Sequence, residues 1–311
     1  MDNSKVEIKA HNLVNLEGAA LESAIKNDFG FEIGQLEKVV RGYSSQVYSG
    51  ILDGRTVFIR INKDQRVFDV EVLGYEAFKK QGVPVPEIIA YQAKPSTIGQ
   101  PTMIMSSAEG VVMVESKSSP EQKEILYNNL AKLLKKIHEV KLEGFGKLIV
   151  ENETLRGEAP NWKGYWDTRR KHYEDGLGFI LERGFATVAE IQKIKLVFDE
   201  ISSLDIGQAS LLHRDMHHAH FFVKGTDITG VIDLGALMAG DPRLDIAVSL
   251  VFQSKEEQEF FRNGYGDLAR DSVVDKYLLI ILVDKIRFRF KERASDDPKL
   301  LALFKETLSK V

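Results

Sequence analysis

The sequence predicts an α+β fold built in two unequal parts, on three observations. As far as residue 106, short apolar runs alternate with turn signals, the mark of a small sheet. From Ser119 onward, apolar residues recur at helical spacing through most of the chain. Between those helical stretches lies a different segment, residues 211–235, LLHRDMHHAHFFVKGTDITGVIDLG. Its runs Leu211-Leu212, Phe221–Val223 and Ile228–Ile232 enclose a loop of Asp and His, with Asp233 just past the last run. An acid- and imidazole-bearing loop held between short strands reads as a site on a hairpin. Strands first and helices after, in 311 residues, suit two domains or one large two-lobed unit.

In order along the chain, residues 15–29 set Leu16, Ala19, Leu21 and Ile25 at helical spacing and predict an amphipathic helix. Val39-Val40, Val47–Leu52 and Thr56–Ile61 predict three strands, joined by Arg41–Ser45 and by Asp53-Gly54-Arg55. The first of those turns holds Gly42, Ser44 and Ser45, whose backbone amides and hydroxyls can face an anion; a plain hairpin loop is the alternative. A helix over 67–80 carries Glu71, with Glu76 further along. Gly82–Pro86 ends it and opens an extended segment. Residues 87–92 and 101–106 complete a five-stranded antiparallel sheet.

In the second part, Ser119 as cap and Pro120 at the first position start a helix whose apolar stripe runs from Leu126 to Ile137 and ends at His138. Residues 144–168, with Gly144, Gly146, Trp162 and Trp166, are expected to be loop. The tryptophans would anchor the core or line a cleft. Helices are expected over 169–183 and 188–203, then over 244–252, 255–265, 272–291 and 297–309.

His213-Arg214-Asp215, followed eighteen residues later by Asp233-Leu234-Gly235, resembles the catalytic loop and metal-binding Asp of the protein-kinase-like phosphotransferases. The spacing is closer to the aminoglycoside phosphotransferases. Val57-Phe58-Ile59-Arg60 resembles the kinase V-A-I-K strand with Arg60 in place of Lys, and Gly240–Asp245 matches G-D-P-x-x-D. The run from FIRIN through GVPVPEI to MIMSSAEG is similar to the hygromycin B phosphotransferases. The resemblance implies a two-lobed protein-kinase-like fold, with residues 1–107 as the nucleotide-binding lobe and 108–311 as the catalytic and substrate-binding lobe, ATP or GTP as donor, and Mg2+.

By that resemblance, Asp215 accepts or orients the acceptor's hydroxyl proton. Asp233 and His220 hold the metal, Arg60 contacts phosphates and is oriented by Glu71, and the Ser44-Ser45 turn faces the nucleotide. The backbone of Met105, Ser106 and Ser107 receives the adenine, with Gly110 allowing the crossover between lobes. Asn is usual at position 220; His220 resembles the macrolide and 2″-aminoglycoside phosphotransferases instead. His213 and Asp245 are expected to brace the loop, and His217 and His218 to face its surface. The implied acceptor is a hygromycin-like aminoglycoside, with an antibiotic-resistance role. A macrolide or a choline-type metabolite is the alternative, held by residues 109–120 and 150–190 and the helices after 254.

Composition bounds the partners. A net charge of −4 disfavours nucleic acid, and Lys285–Arg293 with Phe288 and Phe290 suits a basic helix end better than an RNA stripe. No Cys is present, which excludes thiolate chemistry. The first residues lack a signal-peptide core and Leu278–Val283 is too short to span a bilayer, so a monomeric cytoplasmic protein without membrane contact is expected. Two other readings compete. Four of the seven histidines fall between 213 and 220, a composition a metallohydrolase could use. The exchanges at Arg60 and His220 are also what a nucleotide-binding pseudokinase could carry.

Overall fold

The computed structural model describes residue 14 and residues 16–39, 45–292 and 297–311. Val40, the turn residues Arg41–Ser44, and Arg293 therefore lie outside the described residues. The first element among the described residues is α1 (Ala19–Phe29), which buries Leu21, Ala24 and Ile25 and stops at Gly30, whose φ of 77° ends the helix in the left-handed region. Strands β1 (Gly34–Val39), β2 (Gln46–Leu52) and β3 (Arg55–Ile61) follow, then α2 (Gln65–Lys80), β4 (Ile88–Gln92) and β5 (Thr102–Ser106). The sheet runs β1-β2-β3-β5-β4, antiparallel throughout.

Strand alternation gives this sheet two different faces. Val57, Ile59 and Ile61 of β3 pack with Ile104, Leu21 and Ile25 in a small core beneath α1. On the other face, Met103 and Met105 join Phe68, Tyr75 and Phe78 of α2 in the main core, which continues into the helical part. A fully buried Ile or Phe side chain contributes about 1.5–3 kcal/mol, so α2 is held at least as firmly by the helical part as by the sheet. Arg60 stands on this second face, opposite the apolar residues of its own strand, in register with Val47 and Met103.

After β6 (Val111–Val112), α3 (Pro120–His138) begins with a capping box between Ser119 and Gln122. Strands β7 (Lys141–Leu142), β8 (Phe145–Glu151) and β9 (Thr154–Ala159) lead to α4 (Trp162–Glu182) and α5 (Val188–Ser202). The expected loop over 144–168 is thus a β-hairpin and the start of a helix. The glycines that read as breakers allow two chains to cross closely: a Cβ on Gly144 would lie 2.3 Å from the Gly157 carbonyl oxygen. Trp162 and Trp166 are core anchors, 3% and 5% exposed, edge-to-face at 5.6 Å.

The segment singled out in the sequence forms β10 (Ala209–Leu212), β11 (Phe221–Lys224) and β12 (Asp227–Val231), then β13 (Met238–Gly240). β10 and β11 enter different sheets, β7-β10-β13-β8-β9 and β12-β11-β6. Helices α6 (Pro242–Leu250), α7 (Lys255–Tyr265), α8 (Ser272–Arg287) and α9 (Pro298–Lys310) close the fold. α8 buries every residue from Tyr277 to Val283, as a helix surrounded by others must. It ends at Arg287 in a π-helical turn over Phe288–Glu292, short of the helix to 291 that the sequence suggests.

Candidate active site

Asp215 and Asp233 lie at the open end of the β11–β12 hairpin, one before it and one after. The loop carrying Asp215 is tied down from beneath. Asp245 on α6 accepts the backbone N–H groups of His213 and Arg214, both at 2.7 Å, and also faces His138 Nε2 at 3.2 Å. Burial alone would raise the Asp245 carboxyl, but its hydrogen bond to His138 and the nearby charges hold it below the usual carboxylate value.

His213 is fully buried. It accepts from Asp215 N at Nδ1 (3.2 Å) and donates from Nε2 to the Ile232 carbonyl (3.3 Å). Only the neutral Nε2–H tautomer satisfies both bonds, and burial, its first cause, keeps the pKa below the ordinary value. His213 therefore joins the two ends of the hairpin through one ring. Arg214 and Asp233 have φ values of 67° and 63°, left-handed backbone on non-glycine residues at both sides of the group.

His220 sits between the carboxylates. Its Nδ1 lies 3.0 Å from the Asp215 carbonyl oxygen, which can only accept, so Nδ1 is the donor. Nε2 faces Asp233 Oδ2 at 3.6 Å, too far for a hydrogen bond. Among the described residues, Asp215, His220 and Asp233 are the group whose ligand atoms converge, all within 4.8 Å of one another. The carboxylates stay open to a ligand, with 36% and 47% of their side chains exposed.

A magnesium ion fits this donor set in part. Two carboxylates are the hard oxygen donors it prefers, and the imidazole is the softer departure. The position of Nε2 facing Asp233, with Nδ1 already committed, suits a shared cation. The other histidines do not converge. His213 is committed through both nitrogens and His217 Nδ1 accepts from Ala219 N at 3.0 Å. His218 packs against Tyr127, 3.4 Å from its hydroxyl, where burial brings its pKa down to about 4. His217 and His218 are half-buried and packed on neighbours instead of standing free on the loop surface: His217 lies edge-on to Phe252, with ring centroids 4.8 Å apart, and lines the adjoining cleft. The expected histidine cluster is four separate fixtures, and a histidine-rich hydrolase centre loses its ligands.

On the sheet side, Arg60 meets Glu71 of α2 through both guanidinium nitrogens, Nη1 to Oε2 and Nη2 to Oε1 (3.0 Å). Glu71 is 1% exposed; Glu76 is exposed and takes no part. Burial opposes the Arg60 charge, but Glu71, and more weakly Asp233, hold its pKa above the ordinary value. A Cβ on Gly235 would stand 3.5 Å from both Asp233 Oδ1 and Glu71 Oε1, so the pair borders the Asp233 carboxylate directly.

Ser45 is fixed by Asn62, whose Nδ2 donates to its hydroxyl at 3.2 Å; Ser44 lies outside the described residues. The backbone N–H of Ser106 is spent on Glu87 O (2.9 Å) and that of Ser107 on Thr56 O (3.3 Å). Met105 is buried in the main core between its partners on β3 and β4. The backbone amides of Ser106 and Ser107 are therefore not free to meet a ligand. Sequence reasoning missed Asn62, Tyr75 and the His138–Tyr265 pair (2.7 Å) behind Asp245. Tyr75, one helical turn past Glu71 on the same face and buried beside Arg60, Glu71 and Asp233, could have been found from that spacing.

A family model described as the phosphotransferase enzyme family matches residues 35–277. No curated protein matches. Among solved structures, a thermostable mutant of aminoglycoside phosphotransferase APH(4)-Ia, bound to AMP-PNP and hygromycin B, superposes with a TM-score of 0.72 at 17% identity, over 94% of this chain and 99% of that one. Spectinomycin phosphotransferase APH(9)-Ia, with ADP and spectinomycin, gives 0.62 at 14% identity over 96% and 98%. A Thermobifida fusca protein described as a fructosamine-3-kinase gives 0.64 at 18% identity over 93% and 99%. At these identities the likeness concerns the fold, a kinase-like α+β arrangement.

Proposed function

The chain belongs to the phosphotransferase enzyme family, and from that premise we propose that it transfers the γ-phosphate of ATP, or GTP, to a hydroxyl group of a small molecule. The observation that carries this reading is the convergence of Asp215, His220 and Asp233 within 4.8 Å at the mouth of one hairpin, with the Arg60–Glu71 pair bordering Asp233. Residues 1–107 form the nucleotide-binding lobe and 108–311 the lobe that carries the acceptor.

Phosphoryl transfer asks for positioning and charge neutralisation more than for covalent catalysis. Asp215 takes the acceptor's hydroxyl proton as its oxygen bonds to the γ-phosphorus. The bond from that phosphorus to the bridging oxygen breaks, and the nucleoside diphosphate leaves with the electron pair. Asp233 and His220 would hold magnesium, which when bound neutralises charge on the phosphates. Arg60, forked and pre-oriented by Glu71, presents a fixed cation to the donor's phosphates. Ser45 closes over them. The adenine edge meets the carbonyls of 105–107, since the amides of Ser106 and Ser107 are already engaged.

The intact Arg60–Glu71 pair and the open carboxylates favour an active enzyme over a pseudokinase. A coupled assay of ADP release, run over hydroxyl compounds of differing charge, tests the reading. Asp215→Ala should lower kcat by about 10²–10⁴-fold, the usual contribution of a general base. Wild-type turnover in that variant would reject the assigned chemistry.

A further inference from the structure

The acceptor side of the site is a cleft of about 1980 Å³ floored by α8 and walled by α7 and α9. Its charges are distributed unevenly. Of the acids remote from the catalytic pair, Glu257 faces Lys123 (3.4 Å) and Glu306 faces Lys255 (3.0 Å), whereas Asp284, 3.2 Å from His172, keeps a buried oxygen without a hydrogen bond and burial raises its pKa. Asp297 caps α9, accepting from Leu300 N at 3.0 Å. Three cations that line the same cleft as Asp215 are not engaged in this way. Among the described residues, Arg214, Lys285 and Arg289 line the cleft without an ion-pair partner. Arg214 Nη1 is a buried donor with no hydrogen bond, a costly state unless a ligand supplies the acceptor. Lys285 is held over the Phe252 ring at 5.0 Å. Burial first keeps the Lys285 pKa below the usual lysine value; Asp215 and Asp284 oppose the shift, and Arg214 and Arg289 add to it.

We infer that the acceptor carries an anionic group, a carboxylate or phosphate beside the reacting hydroxyl, received by Arg214, Lys285 and Arg289 next to Asp215. The inference rests on the kinase reading and narrows it. A polycationic aminoglycoside would bring ammonium groups against three cations that have no ion-pair partner and find Glu257 and Glu306 already paired. The donor's own phosphates are the other anion at hand. Lys285 and Arg289, however, cluster with His217 and Phe252 on the floor, whereas Arg60 stands with Glu71 and Asp233 across the hairpin.

The test is calorimetric titration of the full chain, held saturated with AMP-PNP and magnesium, with gluconate and sulfate as anionic probes. Glucose, glucosamine and hygromycin B serve as neutral and cationic comparisons. The expected result is that gluconate or sulfate binds while glucosamine and hygromycin B do not. Lys285→Met and Arg289→Gln should each weaken the anion about tenfold or more, the cost of one charge-assisted contact. AMP-PNP affinity, measured separately, shows that each variant is folded and that its donor side is intact. The inference is overturned if neither anion binds, if both substitutions leave anion binding unchanged, if hygromycin B or glucosamine binds more tightly than either anion, or if the loss falls on AMP-PNP. Wild-type protein that binds no AMP-PNP with magnesium overturns the kinase reading as well; nucleotide binding without anion binding overturns this inference alone.

Discussion

His220 shows how much one side chain decides at the centre of the site. Its Nδ1 is fixed by the Asp215 carbonyl, so Nε2 alone is left to face Asp233. An Asn at this position could donate its amide to the same carbonyl and present an oxygen where the imidazole nitrogen now stands. Oxygen suits magnesium better than nitrogen does. His220→Asn is therefore expected to keep turnover within about tenfold and to lower the magnesium concentration needed for half-maximal activity. A magnesium titration of activity decides it; an unchanged or raised requirement would separate His220 from the ion. The residue types around it were legible because Asp and His are scarce and ordered in the sequence. Their directions were not: His217, His218 and His220 are neighbours in the chain, yet a short 3-10 turn sends them to Phe252, Tyr127 and the two carboxylates.

At the scale of elements, position follows from who covers whom. α2 buries Phe68, Tyr75 and Phe78 along one stripe, and Glu71 falls on that stripe, so its carboxylate is carried inward to Arg60. The order of strand, helix and acid was readable from Val57–Arg60 and Glu71. The hairpin β8–β9 was not, since Lys147, Glu151, Thr154 and Arg156 dilute its alternation and its glycines mimic a loop. The crossing after β5 depends on Gly110. Its φ is 90°, and a Cβ there would lie 2.2 Å from the Val223 carbonyl oxygen, a backbone atom that cannot swing aside. Gly110→Ala should cost roughly 2 kcal/mol or more, from left-handed strain and displacement of β6. Chemical denaturation measures it, and a loss under about 0.5 kcal/mol would show that the crossing tolerates a side chain.

For the whole molecule, the main core runs from α2 past the Asp215 loop to α8, so the candidate site is braced by the centre of the fold. Asp245 is the electrostatic part of that brace. Its folded pKa lies below the ordinary 3.8, so it contributes stability that is present above that value and is lost as pH falls through the folded pKa. Asp245→Asn should be less stable than wild type at pH 7 by about 3–5 kcal/mol, the range for breaking a buried charged network. The gap in melting temperature should narrow below about pH 4, as the wild-type carboxyl is protonated too. A gap that stays constant down to pH 2 would deny Asp245 that role. The two-part α+β plan was readable because periods of two and of 3.6 separate cleanly along the chain. The extra sheets around β10 and β11 were not, since four-residue buried strands carry no period of their own.

The central claim is that Asp215 and Asp233 address the same terminal phosphate from the two ends of one hairpin. Anomalous diffraction from crystals grown with AMP-PNP and manganese in place of magnesium tests it without knowledge of the acceptor. The account predicts a manganese peak in coordination range of an Asp233 oxygen, beside His220, with the γ-phosphate turned toward Asp215. Manganese bound away from Asp233, or a nucleotide whose terminal phosphate lies remote from Asp215, would contradict it.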